Sequence, residues 1–213
     1  MQEIASQLRS PHGTMAEEIA SFMEKSNEGL FELVLQQVKM HESDDIVEIG
    51  QANGAYVKKL VNDKTNHHYT GIDLSKEMTI ASEKRNEALV RSGRARFIEA
   101  DVMSIHLQDF ADIILTSNTL YFWDDPNLFF QWAAKALRHN GQLGVGIRTG
   151  TSMKALPFTK YGFKFFEKSD LEMLFLNAGF HDVKFAEQIE QARLPDDDRI
   201  DLVNLAGTGI KRA

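Results

Sequence analysis

From about residue 44 onward the apolar positions fall into short β-branched runs separated by longer stretches at helical spacing. Segments 45–49, 68–72, 95–99, 111–116 and 142–147 read as strands, and 55–61, 76–91 and 126–138 as helices between them. Asp125-Pro126 reads as an N-cap followed by proline at the first helical position. This alternation predicts a parallel sheet with helices on both faces. Ahead of it, Thr14-Met15-Ala16-Glu17 fits a capping box. Leu30, Leu33, Val34 and Val38 then place a second helical stretch at 27–41. Behind it, Ser169-Asp170-Leu171-Glu172 fits another box, opening a helix that ends at Ala178-Gly179. Two late runs, 181–186 and 201–205, joined by Leu194-Pro195-Asp196-Asp197-Asp198, predict an antiparallel hairpin at one edge. The expected architecture is an α/β, Rossmann-like, seven-stranded and mostly parallel sheet. It carries the C-terminal antiparallel hairpin and an N-terminal helical lid over residues 1–43, with 44–213 as the main domain.

Composition narrows the functional classes. The chain has 213 residues, 43% hydrophobic and 26% charged, the profile of a folded globular protein. No apolar run exceeds five residues, against the ~20 of a membrane helix, so stable membrane insertion is not expected. The first residues lack the basic-then-apolar layout of a secretory signal, and the expected location is cytoplasmic. The absence of cysteine removes disulfides, thiolate metal sites and cysteine nucleophiles. A net charge of −7 weighs against a nucleic-acid partner.

In a doubly wound sheet, ligands bind at the carboxyl ends of the strands, near the point where strand order reverses. The first strand runs into Glu48-Ile49-Gly50-Gln51-Ala52-Asn53-Gly54, whose small residues permit close backbone approach. Asp73 ends the second strand and Asp101 follows the third, so three acids face one crevice. An acid at the end of the second strand suits the two hydroxyls of a ribose. Glu48 discriminates among nucleotides: a pyrophosphate at this turn meets a like charge, whereas the ammonium and sulfonium of S-adenosylmethionine are attracted. Ala52 and Ala55 stand where a dinucleotide G-x-G-x-x-G requires glycine, and no P-loop Gly-Lys-Ser/Thr occurs.

Residues 44–210 resemble the class I S-adenosylmethionine-dependent methyltransferases. Ile46 to Gly54 is similar to their acid–x–Gly–x–Gly–x–Gly loop, departing from it only at Ala52. Asp73 matches the ribose-binding acid, and Asp101-Val102 the pair flanking the adenine. Asp112 to Asn118 resembles the fourth strand, and Leu137 to Leu143 the turn into the fifth. The resemblance implies cofactor contacts at Glu48, Gly50, Gln51, Ala52, Gly54, Asp73, Leu74, Met78, Asp101, Val102 and Ser117. The implied product is S-adenosylhomocysteine. The leader Gln7-Leu8-Arg9-Ser10-Pro11-His12-Gly13, with Met23 and Asn27, and Leu120-Tyr121-Phe122-Trp123 are similar to a narrower group. That group is the small-molecule methyltransferases of the ubiquinone/menaquinone-biosynthesis type. The expected reaction is methyl transfer to a small-molecule acceptor by direct displacement. A non-catalytic S-adenosylmethionine-binding protein is the alternative, and a nicotinamide-dependent oxidoreductase fits Glu48 less well.

The other constellations are weaker. His67-His68 point to opposite faces on entering a strand, so no metal site is expected. Of the aromatic cluster beyond the fourth strand, Phe122 is expected in the core, and Tyr121 or Trp123 against the acceptor. Arg148 ends the fifth strand, where it either holds an anionic acceptor or pairs with a surface acid. His12 joins Tyr121, Trp123 and Arg148 as candidate acceptor contacts, and His12, His106 and Tyr121 are the candidate bases. The stretch 158–166, FTKYGFKFF, is aromatic and basic; it suits base stacking, a lid over an apolar substrate, or ordinary core.

Overall fold

A computed structural model describes residues 1–193 and 199–212; the turn expected at 194–198 lies outside them. The strands are β1 (Asp45–Ile49), β2 (His68–Asp73), β3 (Ala95–Glu99), β4 (Ala111–Ser117), β5 (Leu137–Arg148), β6 (Phe180–Arg193) and β7 (Arg199–Lys211). They form one seven-stranded sheet in the order β3-β2-β1-β4-β5-β7-β6. The first five pair in parallel, and β7 and β6 add an antiparallel edge, as expected. The helices are α1 (Gln2–Arg9), α2 (Ala16–Gln37), α3 (Val57–Leu60), α4 (Lys76–Arg85), α5 (Glu87–Arg91), α6 (Pro126–Ala136), α7 (Gly150–Met153) and α8 (Lys168–Asn177). Among the described residues, no helix is long and apolar enough to cross a membrane.

Period-two alternation in β1 serves two separate cores. Val47 and Ile49 enter a cluster with Phe129, Phe130 and Phe175 from α6 and α8. Ile46 enters the opposite cluster with Phe31 and Val34 of α2 and Leu60 of α3. Glu48, two residues on from Ile46, therefore points to the α2 side at the mouth of the strand. Strand order reverses between β1 and β4, whose carboxyl ends frame a crevice.

Several local expectations need correction. The front is one continuous helix, α2, because Gly13 (φ +65°) and a 3₁₀ turn, Gly13–Met15, set its entry. Thr14 makes no side-chain cap; Met15 is the N-cap, and tertiary contacts pin the turn. The capping box near the C-terminus lies two residues earlier than expected, with Glu167 as N-cap and the Asp170 carboxylate accepting from the Glu167 amide at 2.8 Å. The helix expected over 76–91 breaks at Asn86 (φ −112°, ψ 28°), whose side chain is engaged elsewhere. The late strands are far longer than 181–186 and 201–205. Asp125 does cap α6, accepting from the Asn127 amide at 2.9 Å.

Helix α2 lies directly on β5 because the strand offers glycines there. A Cβ on Gly146 would stand 2.7 Å from Val34 Cγ2 and 3.1 Å from Leu30 Cγ. Gly146→Ala is therefore expected to destabilise the fold by about 1–3 kcal/mol, the scale of overpacking a filled core. Urea unfolding monitored by circular dichroism measures the change.

Candidate functional site

The carboxyl ends of β1, β2 and β4 open into a cavity of about 270 Å³. Its floor is the turn after β1, where Gly50 (φ +74°), Ala52 (φ +50°) and Gly54 (φ +65°) are all left-handed. A Cβ on Gly50 would lie 2.5 Å from Thr119 Cγ2, so the fourth strand's loop, as well as any ligand, requires glycine there. Ala52 holds the same backbone sense with a side chain, at a cost of about 1–2 kcal/mol.

Helix α4 supports this turn from below. Ser82 Oγ donates to the Ala52 carbonyl at 2.7 Å, and Asn86 Nδ2 donates to the Gly54 carbonyl at 3.0 Å. Both side chains are buried, and the second contact is the reason the helix breaks at Asn86. Sequence reasoning missed this pair; the signal was two polar residues four apart inside an otherwise helical stretch.

Two carboxylates sit side by side in the wall. Asp73 accepts from the Ala52 amide (3.0 Å) and the Ser75 amide (2.8 Å), yet burial outweighs these bonds and raises its pKa to about 6. Glu48 accepts from the Tyr69 hydroxyl at 2.6 Å. Burial, with the charge of Asp73 adding to it, lifts Glu48 to about 7 against that bond. Neither carboxylate forms an ion pair with a cationic side chain among the described residues. Around them lie buried polar atoms without a protein partner: both amide atoms of Gln51, Ser117 Oγ and Asn118 Nδ2. Buried polar groups are ordinarily paired, so this concentration leaves donors and acceptors free of protein partners at the strand ends.

The leader closes the opposite wall. Leu8, Arg9 and Pro11 line the cavity, as do Met23, Glu24 and Asn27 of α2. Buried Gln7 holds both backbone groups of His12, at 3.1 and 3.0 Å. Ser75 Oγ donates to the Pro11 carbonyl at 2.5 Å, and Gly13 donates to Glu77 at 3.3 Å. Glu24 takes a two-point contact from Arg85 (2.7 and 2.8 Å), which ties α2 to α4 across the mouth.

Of the residues singled out from sequence, Glu48, Gly50, Gln51, Ala52, Asp73, Leu74, Asp101, Val102, Ser117 and Trp123 line this cavity. Gly54 and Met78 stand behind it; Met78 packs under Ala52 with Ala16 and Ala20. Three expected acceptor contacts lie outside the lining. His12 is exposed and turned toward the Ser10 carbonyl at 2.8 Å. Tyr121 is buried, its hydroxyl donating to Asn118 Oδ1 at 2.9 Å and accepting from the Arg148 amide. Burial holds that phenol well above its usual range. Arg148 reaches the Ser26 carbonyl of α2 and pairs with Glu190 at 3.3 Å, the pairing alternative of the sequence reading. The 3₁₀ turn Leu120–Phe122 rotates Tyr121 inward and brings Phe122, expected in the core, to the cavity beside Trp123.

The methyltransferase-domain family matches residues 47–145. Among curated proteins, no sequence matches the chain. A Haloferax volcanii putative methyltransferase, solved in complex with the Trm112 methyltransferase activator, is similar over 99% of this chain and 98% of its own, at 16% identity and TM-score 0.78. A Thermotoga maritima S-adenosylmethionine-dependent methyltransferase, described as a possible histamine N-methyltransferase, is similar over 93% and 98%, at 19% identity and TM-score 0.66. A Haemonchus contortus phosphoethanolamine N-methyltransferase, bound to phosphomonomethylethanolamine and S-adenosylhomocysteine, is similar over 95% and 62%, at 11% identity and TM-score 0.70. At these identities the structural likenesses speak for the fold.

The raised carboxylates make stability depend on pH. Both folded pKa values exceed the unfolded ones, so the native state holds more protons between about pH 4 and 7, and stability falls as pH rises through that window. Above it the cost is fully present, on the order of 3–4 kcal/mol for Glu48. Glu48→Gln is expected to flatten the profile and to stabilise the ligand-free protein more at pH 8 than at pH 5. Urea titrations at several pH values measure both effects.

Proposed function

We propose that this class I S-adenosylmethionine-dependent methyltransferase passes its methyl group to a small molecule held between the strand ends and the leader. The observation that carries the reading is the buried pair Glu48 and Asp73, gathered with the orphaned polar atoms of Gln51, Ser117 and Asn118 in one cavity. When bound, S-adenosylmethionine supplies an electrophilic methyl group on a sulfonium.

The chain's residues bind and orient. Asp73 keeps acceptor capacity beyond its two backbone bonds and takes the ribose hydroxyls. Leu74 and Val102 offer apolar faces to the adenine, and Asp101 accepts from its amino group. Glu48, ionised on meeting a cation, holds the ammonium, and Ser117 Oγ and Asn118 Nδ2 are donors for a carboxylate. Gly50, Ala52 and Gly54 shape the turn, with Met78 behind it. Phe122, Trp123, Leu8 and Leu128 form an apolar wall for the acceptor. Alignment and exclusion of water are the main contributions asked of this site.

The enclosure supports a small acceptor: α1 and α2 line the crevice, and the cavity is of a size for small molecules. The Thermotoga and Haemonchus neighbours, by their descriptions, act on small amines, which agrees with this scale. Residues 1–26 serve as the lid, while the rest of α2 sinks Leu30 and Val34 into the core.

Asp73→Ala is expected to weaken S-adenosylmethionine binding by roughly 2–3 kcal/mol, the scale of lost charge-assisted hydrogen bonds, as measured by calorimetry. Radiolabelled methyl from the cofactor is expected to enter the small-molecule fraction of an extract; label confined to protein or RNA would overturn the reading. Amides of residues 3–24 are expected to exchange rapidly in the free protein and to gain protection with S-adenosylhomocysteine. Equal protection in both states would remove the lid.

A further inference from the structure

A second cavity of about 360 Å³ lies between α1 and the segment after α7, bounded by Ala5, Ser6, Tyr161 and Gly162. It shares two lining residues, Arg9 and Phe122, with the cavity at the strand ends. Arg9 thus stands at the junction of the two spaces. It is the only cationic side chain lining the main cavity, and it makes no ion pair or side-chain hydrogen bond among the described residues.

Arg9 is exposed in the last turn of α1, so its guanidinium stays solvated and is not committed to a protein partner. The cavity already holds Glu48 and Asp73, which suit a cationic ligand, and an unpaired cation beside such a ligand repels it. The segment beyond the second cavity is also basic, although its lysines line neither cavity. Residues 149–166 contain Lys154, Lys160 and Lys164 and no acid, in a chain of net charge −7. Aromatic side chains interleave with these lysines. Phe163 packs edge-on against Phe122 at 4.7 Å and against Phe158 at 5.6 Å, and Tyr161 is exposed at the second cavity. Four further acids line the main cavity. Glu24 is paired with Arg85, and Asp101 and Asp125 accept cap hydrogen bonds from the Met103 and Asn127 amides. Lys164 Nζ donates to the backbone carbonyl of Asp124 at 2.7 Å.

Resting on the methyl-transfer reading, we infer that the acceptor is an apolar or aromatic small molecule bearing an anionic group, carboxylate or phosphate-like. Its ring or chain lies against Phe122 and Tyr161, and Arg9 receives the anion. Arg9 is then a specificity-determining residue that sets the charge class of the acceptor. A planar guanidinium matches such oxyanions at two points.

The test uses the full chain saturated with S-adenosylhomocysteine and two fluorescent probes of similar shape. One is anionic 8-anilinonaphthalene-1-sulfonate and the other is uncharged N-phenyl-1-naphthylamine. The anionic probe is expected to bind at least tenfold more tightly. Arg9→Gln is expected to remove that preference and Arg9→Lys to keep most of it. Equal affinity for both probes in the unaltered protein, or an unchanged preference in Arg9→Gln, overturns the inference. So does a tenfold loss of S-adenosylhomocysteine affinity in Arg9→Gln with the probe preference intact, because the guanidinium then serves the cofactor's own carboxylate. Failure of the unaltered protein to bind S-adenosylhomocysteine at all would instead overturn the reading on which the inference rests.

Discussion

Two carboxylates buried side by side without a cation are the constraint around which this structure is arranged. Taking either from water is costly, and their mutual repulsion adds to the cost. The fold answers with local donors: the Tyr69 hydroxyl for Glu48, and the Ala52 and Ser75 amides for Asp73. These donors fix the shape of the site. The Ala52 amide points at Asp73 only while the turn after β1 is left-handed, and that turn is held by Ser82 and Asn86 beneath it. A binding requirement at two side chains thus propagates into the break between α4 and α5.

The leader is organised around the same point. Ser75, whose amide serves Asp73, also bonds the Pro11 carbonyl through its hydroxyl, so the leader that lines the cavity is tied to the loop that holds Asp73. The far half of α2 is anchored differently, by glycines in β5 that let Leu30 and Val34 reach the sheet. One helix is therefore core at its C-terminal end and pocket wall at its N-terminal end.

The parallel strands were legible in the sequence because period-two patterning and flanking turns are local signals. The acids at their ends followed directly from strand ends, and they meet in space as expected. What escaped was set by contacts distant in sequence. A helix of ordinary propensity stops at Asn86 because the side chain is needed by Gly54. The start of α2 ignores a good capping box because Ser75 and Glu77 hold the preceding turn. The exchange of roles between Tyr121 and Phe122 has a similar origin: both are aromatic and adjacent, and only the 3₁₀ turn decides which faces inward. Arg148, at a strand end that invites a ligand, was taken up by Glu190 of a β6 strand much longer than its sequence pattern announced.

The uncompensated acids also bear on the life of the protein in a cell. Burial of these acids costs the fold stability as pH rises toward neutrality, and any molecule that binds only the native state raises that stability by mass action. The folded fraction, and with it resistance to proteolysis, then follows how much of that molecule is at hand.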